Sequence, residues 1–342
     1  VKKIVLFIVI LYCSGCQNDN EKKVDTNKSI KCVTQLKDTL SLHDSVRVLK
    51  DSLSKCDSTI TSKNEKLTYI QAYDKALTLW PIPFKEIYIN TSFGKAHVIE
   101  CGLASAEPLV LLHGMDASST MWYPNIEELS KHYRVYAIDF FLEPGKSACY
   151  GEVKNTKQII LWYYEIFNSL NLKKFSLVGA SRGGWLAVNI ALHNPSRINK
   201  IALLSPAQTF SWIKPGPKIL FNIAYSMFPK RKRFRSVLET MTFDIDKIKQ
   251  AYINQYYLAT QKGIMHKCFF QMTPFPEKEL KTLKMPILVL IGDHDIINGD
   301  KSLKRAKKLL SNIQTAKIKN AGHFLSFDQP DVINKKLLIF LE

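Results

Sequence analysis

From about residue 80 onward, short runs of apolar and β-branched residues alternate with longer stretches in which apolar positions recur every three or four residues. The short runs at residues 109–112, 135–138, 175–178, 201–204 and 287–291 are apolar almost throughout instead of alternating with polar positions, and residues 315–318 form a sixth. Such runs predict strands covered on both faces, the mark of a mostly parallel sheet. The periodic stretches predict helices over 122–131, 156–170, 183–194, 301–311 and 330–341, and strand–helix alternation of this kind predicts an α/β fold. Ahead of them, residues 86–90 and 95–101 read as an antiparallel pair around a turn at Ser92-Phe93-Gly94.

One connection is much longer than loops in such a sheet usually are. It covers about residues 209–282, between the sixth strand, ending at Leu204, and the seventh, opening at Ile287. It carries helical patterns and is rich in aromatics, so it predicts an inserted helical cap. Ligands in open parallel sheets bind beyond the carboxyl ends of the strands, which a cap there would cover. Phe210, Trp212, Phe221, Tyr225, Phe228, Tyr256 and Tyr257 either form the cap's own core or line a pocket.

The pattern is different before residue 67. Residues 17–66 are rich in Lys, Asp, Ser, Thr and Asn and hold no Trp, Phe or Tyr, too little apolar surface to fold alone. They predict a polar tether, within which Leu42, Val46, Leu49 and Leu53 recur at helical spacing. At the start, Lys2-Lys3 precedes an apolar run at residues 4–11, the layout of an export signal and too short to span a bilayer. The run is followed by Cys13-Ser14-Gly15-Cys16. This resembles the lipobox of bacterial lipoproteins, with Cys13 where leucine is usual, and the resemblance implies that residues 1–16 are a signal segment and Cys16 the acylated residue. The expected location is then the bacterial cell envelope, lipid-anchored to the membrane and facing outside the cytoplasm; an ordinary secretory signal is the alternative.

Composition adds little. Apolar residues at 46% and charged residues at 23% are ordinary globular usage. The net charge of +18 is spread over every segment, with one dense run at Lys230-Arg231-Lys232-Arg233. No recognition motif accompanies it, so nucleic acid is not an expected partner. Of seven cysteines, Cys32, Cys56, Cys101, Cys149 and Cys268 remain once Cys13 is removed and Cys16 acylated. They form no Cys-x-x-Cys pair or His/Cys cluster, so no metal is expected. Phosphate-binding glycine loops are also lacking, and no cofactor is expected.

Four strand ends carry chemistry. The strand at 175–178 runs into Gly179-Ala-Ser181-Arg-Gly183 and then a helical pattern. Gly-x-Ser-x-Gly between strand and helix suits a serine on a sharp turn with its hydroxyl above the sheet; the plain alternative is a glycine turn whose serine caps the helix. The strand at 109–112 ends in His113-Gly114-Met115-Asp116, that at 287–291 in Gly292-Asp293-His294-Asp295, and that at 315–318 leads to Gly322-His323. Ser181, Asp295 and His323 then supply a nucleophile, an orienting carboxylate and a general base. Asp293 is the fallback for Asp295.

These motifs, in the order Ser, Asp, His, resemble those of the α/β-hydrolase fold. The stretch Leu112-His-Gly-Met-Asp-Ala-Ser-Ser-Thr-Met-Trp-Tyr-Pro-Asn125, with Tyr133-Arg-Val-Tyr-Ala-Ile-Asp139 after it, is similar to bacterial carboxylesterase-like members. The resemblance covers about residues 84–342 and implies an oxyanion hole built from the backbone N–H groups of Met115 and Arg182. It implies a structural, loop-ordering role for His113. A serine at position 181 sets aside the members that use an aspartate nucleophile. The expected activity is hydrolysis of a small-molecule carboxylic ester through an acyl-serine intermediate. Amide, thioester or C–C hydrolysis or acyl transfer by the same triad remains open, as does a non-catalytic envelope binding protein on the same fold. Residues 139–147 depart from the glycine-richer turn of many relatives, which leaves the acyl-pocket wall unassigned.

Overall fold

Three of the four strands that carry those motifs are buried because each is apolar on both sides; the fourth, with Gln314, Thr315 and Lys317 in it, is a largely half-exposed edge strand and not the doubly covered one expected. In the computed structural model, which describes residues 63–261 and 272–342, all four belong to a nine-stranded sheet. Its strands are β1 (Phe84–Thr91), β2 (Gly94–Cys101), β3 (Pro108–Leu112), β4 (Arg134–Ile138), β5 (Ala148–Cys149), β6 (Phe175–Ala180), β7 (Ile198–Leu204), β8 (Ile287–Gly292) and β9 (Ile313–Ile318). Their order is β1-β2-β4-β3-β6-β7-β8-β9, with β5 paired to β2. β1, β2 and β5 pair antiparallel, whereas β4 through β9 along this path are parallel. The six expected parallel strands are all present. β5 is an addition, short and half-exposed, with too little apolar sequence to be read as a strand.

Side chains along each central strand alternate between two cores. Val110, Leu112, Leu177, Leu203, Val289 and Ile291 point to one face; Leu109, Leu111, Val178, Leu204, Leu288 and Leu290 point to the other. The period of two explains why runs apolar at every position form these strands. The first face is covered by α3 (Thr156–Ser169), α4 (Arg182–His193) and α9 (Asp300–Leu309). The second is covered by α1 (Lys63–Leu77), through Tyr69, Tyr73 and Leu77, and by α2 (Ile126–His132), α10 (Leu325–Asp328) and α11 (Pro330–Leu341). α1 begins within the expected tether, and Tyr69, Tyr73 and Leu77 form a buried stripe at helical spacing.

Between β7 and β8 lie α5 (Pro217–Met227), α6 (Arg231–Met241), α7 (Gln250–Gln261) and the short α8 (Glu277–Leu280). Most of the cap aromatics pack among themselves: Tyr225 and Phe234 are buried, with Phe221, Tyr256 and Tyr257 against them. Phe210 instead joins the sheet core, and Trp212 and Phe228 are exposed. Trp122 is wholly enclosed in the second core. The expected signal segment with Cys16, the tether up to residue 62, the cysteines Cys32 and Cys56, and residues 262–271 with Cys268 lie outside the described residues.

Candidate active site

The chain reverses its direction of travel across the sheet between β3 and β6, which are hydrogen-bonded neighbours. At such a switch point the two carboxyl ends open a crevice, and here those ends are His113-Gly114 and Ser181. Ser181 has φ +52°, a left-handed backbone unusual for a residue with a side chain. The turn is so tight that a methyl group at Gly179 would overlap the Gly183 carbonyl, and one at Gly183 would overlap that of Leu112. Both glycines of the motif are therefore steric requirements. The Ser181 hydroxyl makes no capping bond to α4. It lies 2.9 Å from His323 Nε2, so the simple capped turn is not what this sequence forms.

His323 follows β9 and is almost fully buried. Its Nδ1 lies 2.9 Å from Asp295 Oδ1, and because a carboxylate only accepts, Nδ1 carries the proton and Nε2 is left to accept from Ser181. Asp295 is fixed in turn by the Ile297 N–H at 2.8 Å and the Asn298 amide at 3.0 Å. Burial pushes the Asp295 carboxyl up, but the His323 imidazole and these donors outweigh it and hold the group below its ordinary range. Asp293 points elsewhere, accepting from the Asn320 and Ala321 N–H groups at 3.1 Å each. It shapes the loop that delivers His323. His294 is exposed at the surface, beside Phe243.

Across from the serine, Gly114 comes so near that a methyl there would sit 3.4 Å from Ser181 Cβ. The Met115 turn is therefore against the nucleophile, as an oxyanion loop requires. His113 accepts from the Phe140 N–H at its Nε2 (2.8 Å) and places Nδ1 2.8 Å from the Gly114 carbonyl. Its two bonds fix a neutral tautomer, and burial lowers its pKa to about 4. It ties β3's loop to β4's and is occupied at both nitrogens.

The α/β hydrolase fold family model matches residues 107–330, which takes in β3, the serine turn, the cap and the histidine loop. The chain belongs to that family. It is 34% identical over 284 residues to the uncharacterized carboxylesterase nap of Bacillus subtilis, covering 80% of this chain and 92% of the relative. It is 33% identical over 288 residues to carboxylesterase YbfK of the same organism, covering 80% and 94%. Among solved structures, naproxen esterase of Bacillus subtilis superposes with a TM-score of 0.76 at 32% identity, covering 82% of this chain and 99% of that one.

Within this α/β hydrolase several site-building residues carry no sequence motif. Asp328 is buried and accepts from Thr242 Oγ1 and from the Phe243, Asp244 and Gly322 N–H groups, the last at 2.7 Å. It thereby fastens the His323 loop to the end of cap helix α6. Asp139, at the end of β4, accepts from the Ser119 N–H at 2.8 Å, from Lys146 N–H at 2.9 Å and from Tyr73 at 3.3 Å. It also lies 3.0 Å from His97 Nδ1, while His97 Nε2 lies 2.7 Å from Glu86. Glu143 and Arg182 form a buried ion pair beside the serine. Of these, the Asp ending a strand at residue 139 and Arg182 inside the serine turn had a visible signal; Asp328, His97, Glu86 and Glu143 had none. Among the described residues no cluster of His, Cys, Asp and Glu is arranged to hold a metal ion.

Proposed function

We propose that this α/β hydrolase is a serine carboxylesterase in which Ser181 is the nucleophile, His323 the general base and acid, and Asp295 the residue that orients His323. The observation that carries the reading is the continuous hydrogen-bonded path Ser181 Oγ–His323 Nε2 and His323 Nδ1–Asp295, 2.9 Å at each step, at the carboxyl end of the sheet. Ester hydrolysis is supported by the carboxylesterases to which the chain is similar over four-fifths of its length. These side chains are within bonding reach of one another, which removes the ground for a non-catalytic binding protein.

His323 Nε2 takes the Ser181 proton as Oγ bonds to the ester carbonyl carbon, and the carbonyl electron pair moves onto oxygen. That oxyanion is met by the N–H groups of Met115 and Arg182, one on the turn after β3 and one at the head of α4. When the tetrahedral species collapses, the C–O bond to the alcohol breaks and His323 returns the proton to the leaving oxygen. Water then attacks the acyl-serine by the same route, releasing the acid and restoring Ser181. Asp295 stays ionised throughout, opposite the imidazolium. The full chain should hydrolyse short aryl esters and be labelled by a fluorophosphonate at Ser181, and both properties should vanish in Ser181→Ala. A folded wild type that resists the probe would overturn this reading.

The lipid anchor belongs to the same proposal and is supported by the residues alone: Lys2-Lys3, the apolar run and Ser14-Gly15-Cys16. With Cys16 acylated, the polar residues behind it would hold the hydrolase at the membrane on the outer side of the cytoplasmic permeability barrier. Metabolic labelling with an alkyne fatty acid should mark the wild type and not Cys16→Ala; equal labelling of both refutes the anchor.

A further inference from the structure

Residues 139–147 have no counterpart in the expected glycine-rich turn, and the structure gives them a specific use. Glu143 lies in this segment, 9% exposed, with its N–H bonded to the Phe140 carbonyl at 3.0 Å. Its two carboxylate oxygens reach different parts of the site. Oε2 accepts the backbone N–H of Asp116 at 2.9 Å, and Oε1 accepts from Arg182 Nη1. The Arg182 guanidinium also reaches back to the Gly114 carbonyl at 3.4 Å and lies 4.8 Å from the centroid of the Phe140 ring. Asp116 directly follows Met115, and Arg182 directly follows Ser181.

We infer that Glu143 is the positioning residue of the oxyanion hole: one buried carboxylate ties the Met115 turn to the first residue of α4 and so sets the spacing of the two N–H donors. The inference rests on the serine-esterase reading above. An oxyanion hole works only if its donors already sit at hydrogen-bond distance from where the oxyanion forms. The Met115 turn is held against its own preference, because Asp116 has φ +55°, a conformation disfavoured for a residue with a side chain. The N–H that Glu143 accepts belongs to that strained residue. A buried ion pair is a poor way to gain stability, since the desolvation of both charges offsets their attraction. Here its geometric effect is the one the reaction uses.

The test is Glu143→Gln in the full chain. The amide keeps the volume but offers one acceptor where two donors converge, so the turn and α4 are no longer held together. For a short aryl ester, kcat should fall roughly 10- to 100-fold with KM within about threefold, the pattern of lost transition-state binding. Affinity for a trifluoromethyl ketone, which forms a tetrahedral adduct on the serine, should fall by the same factor as kcat/KM. Fluorophosphonate labelling should still mark Ser181, only more slowly. The paired variant Glu143→Gln/Arg182→Met removes the buried cation as well and keeps both backbone donors; it should show the same loss of kcat, and it carries the comparison if the single variant does not fold. Wild-type kcat and analogue affinity in either folded variant would overturn the inference, leaving Glu143 a purely structural residue. Failure of the serine-esterase reading looks different: the wild type itself would neither turn over the ester nor take the probe.

Discussion

Asp295→Asn separates the charge of the candidate triad from its geometry. Three donors surround the carboxylate: His323 Nδ1 at 2.9 Å and the Ile297 N–H at 2.8 Å converge on Oδ1, while the Asn298 amide reaches Oδ2 at 3.0 Å. Of these only the Asn298 amide can turn over to present an oxygen instead. The new NH2 group therefore settles at the Oδ2 position, and the Oδ1 position stays an acceptor. His323 keeps its proton on Nδ1 and its Nε2 toward Ser181. What disappears is the negative charge facing the imidazolium that forms when His323 takes the serine proton. Two unit charges separated by 2.9 Å attract by about 6 kcal/mol at an effective dielectric of about 20. A remaining hydrogen bond from the charged ring to a neutral amide returns about 2 kcal/mol. The net loss is about 4 kcal/mol, roughly a thousandfold in kcat. Steady-state hydrolysis of a short aryl ester measures it, with little change in KM. Asp293→Asn, whose carboxylate serves the Asn320 and Ala321 N–H groups, should stay within about tenfold of wild type. An Asp295→Asn enzyme of near wild-type kcat, or an Asp293→Asn enzyme with the larger loss, would refute the assignment of the orienting charge.

His97 is fully enclosed between Asp139 and Glu86; burial lowers its pKa, but the two carboxylates prevail and raise it above 6.5. A raised base stabilises the fold in full below its unfolded value and loses that contribution as pH climbs through the folded one. His97→Gln should therefore lower the melting temperature more at pH 5.5 than at pH 9, and an equal loss at both would show that the ring is not charged. Gly183→Ala drives a methyl into the Leu112 carbonyl, whereas the same change at Gly299 meets nothing within 4 Å. Soluble expression and ester hydrolysis should be lost in the first and kept in the second; an active Gly183→Ala enzyme would mean that the turn is looser than the structure describes.

Much of this site was legible because its signals are local. Glycine at 179 is dictated by crowding against Gly183 within one turn, while glycine at 183 answers to the Leu112 carbonyl of the neighbouring strand, and Gly-His after β9 lies only five residues beyond the strand end. The choice between Asp293 and Asp295 was not local. The two differ by two residues at the end of one strand, and only the path of the β9 loop decides that His323 arrives over Asp295 while Asp293 caps the loop's backbone. Asp328 and Glu143 were silent for the same reason. Each is an isolated acid in sequence, and each gains its meaning from a donor far along the chain, Arg182 39 residues from Glu143 and Thr242 86 residues from Asp328.

The architecture and the candidate triad could be read from local pattern: short apolar runs alternating with helical stretches, and a serine, an aspartate and a histidine placed after three strands. The tertiary structure decided how those pieces are held. It assigned the cap aromatics mostly to the cap's own core and enclosed Trp122 within the hydrolase. It also turned a segment without a motif into the brace behind the Met115 turn. The physical reason is that strand burial follows from neighbours two residues apart, whereas a buried charge pair or a loop fastening is satisfied by whatever the folded chain brings beside it.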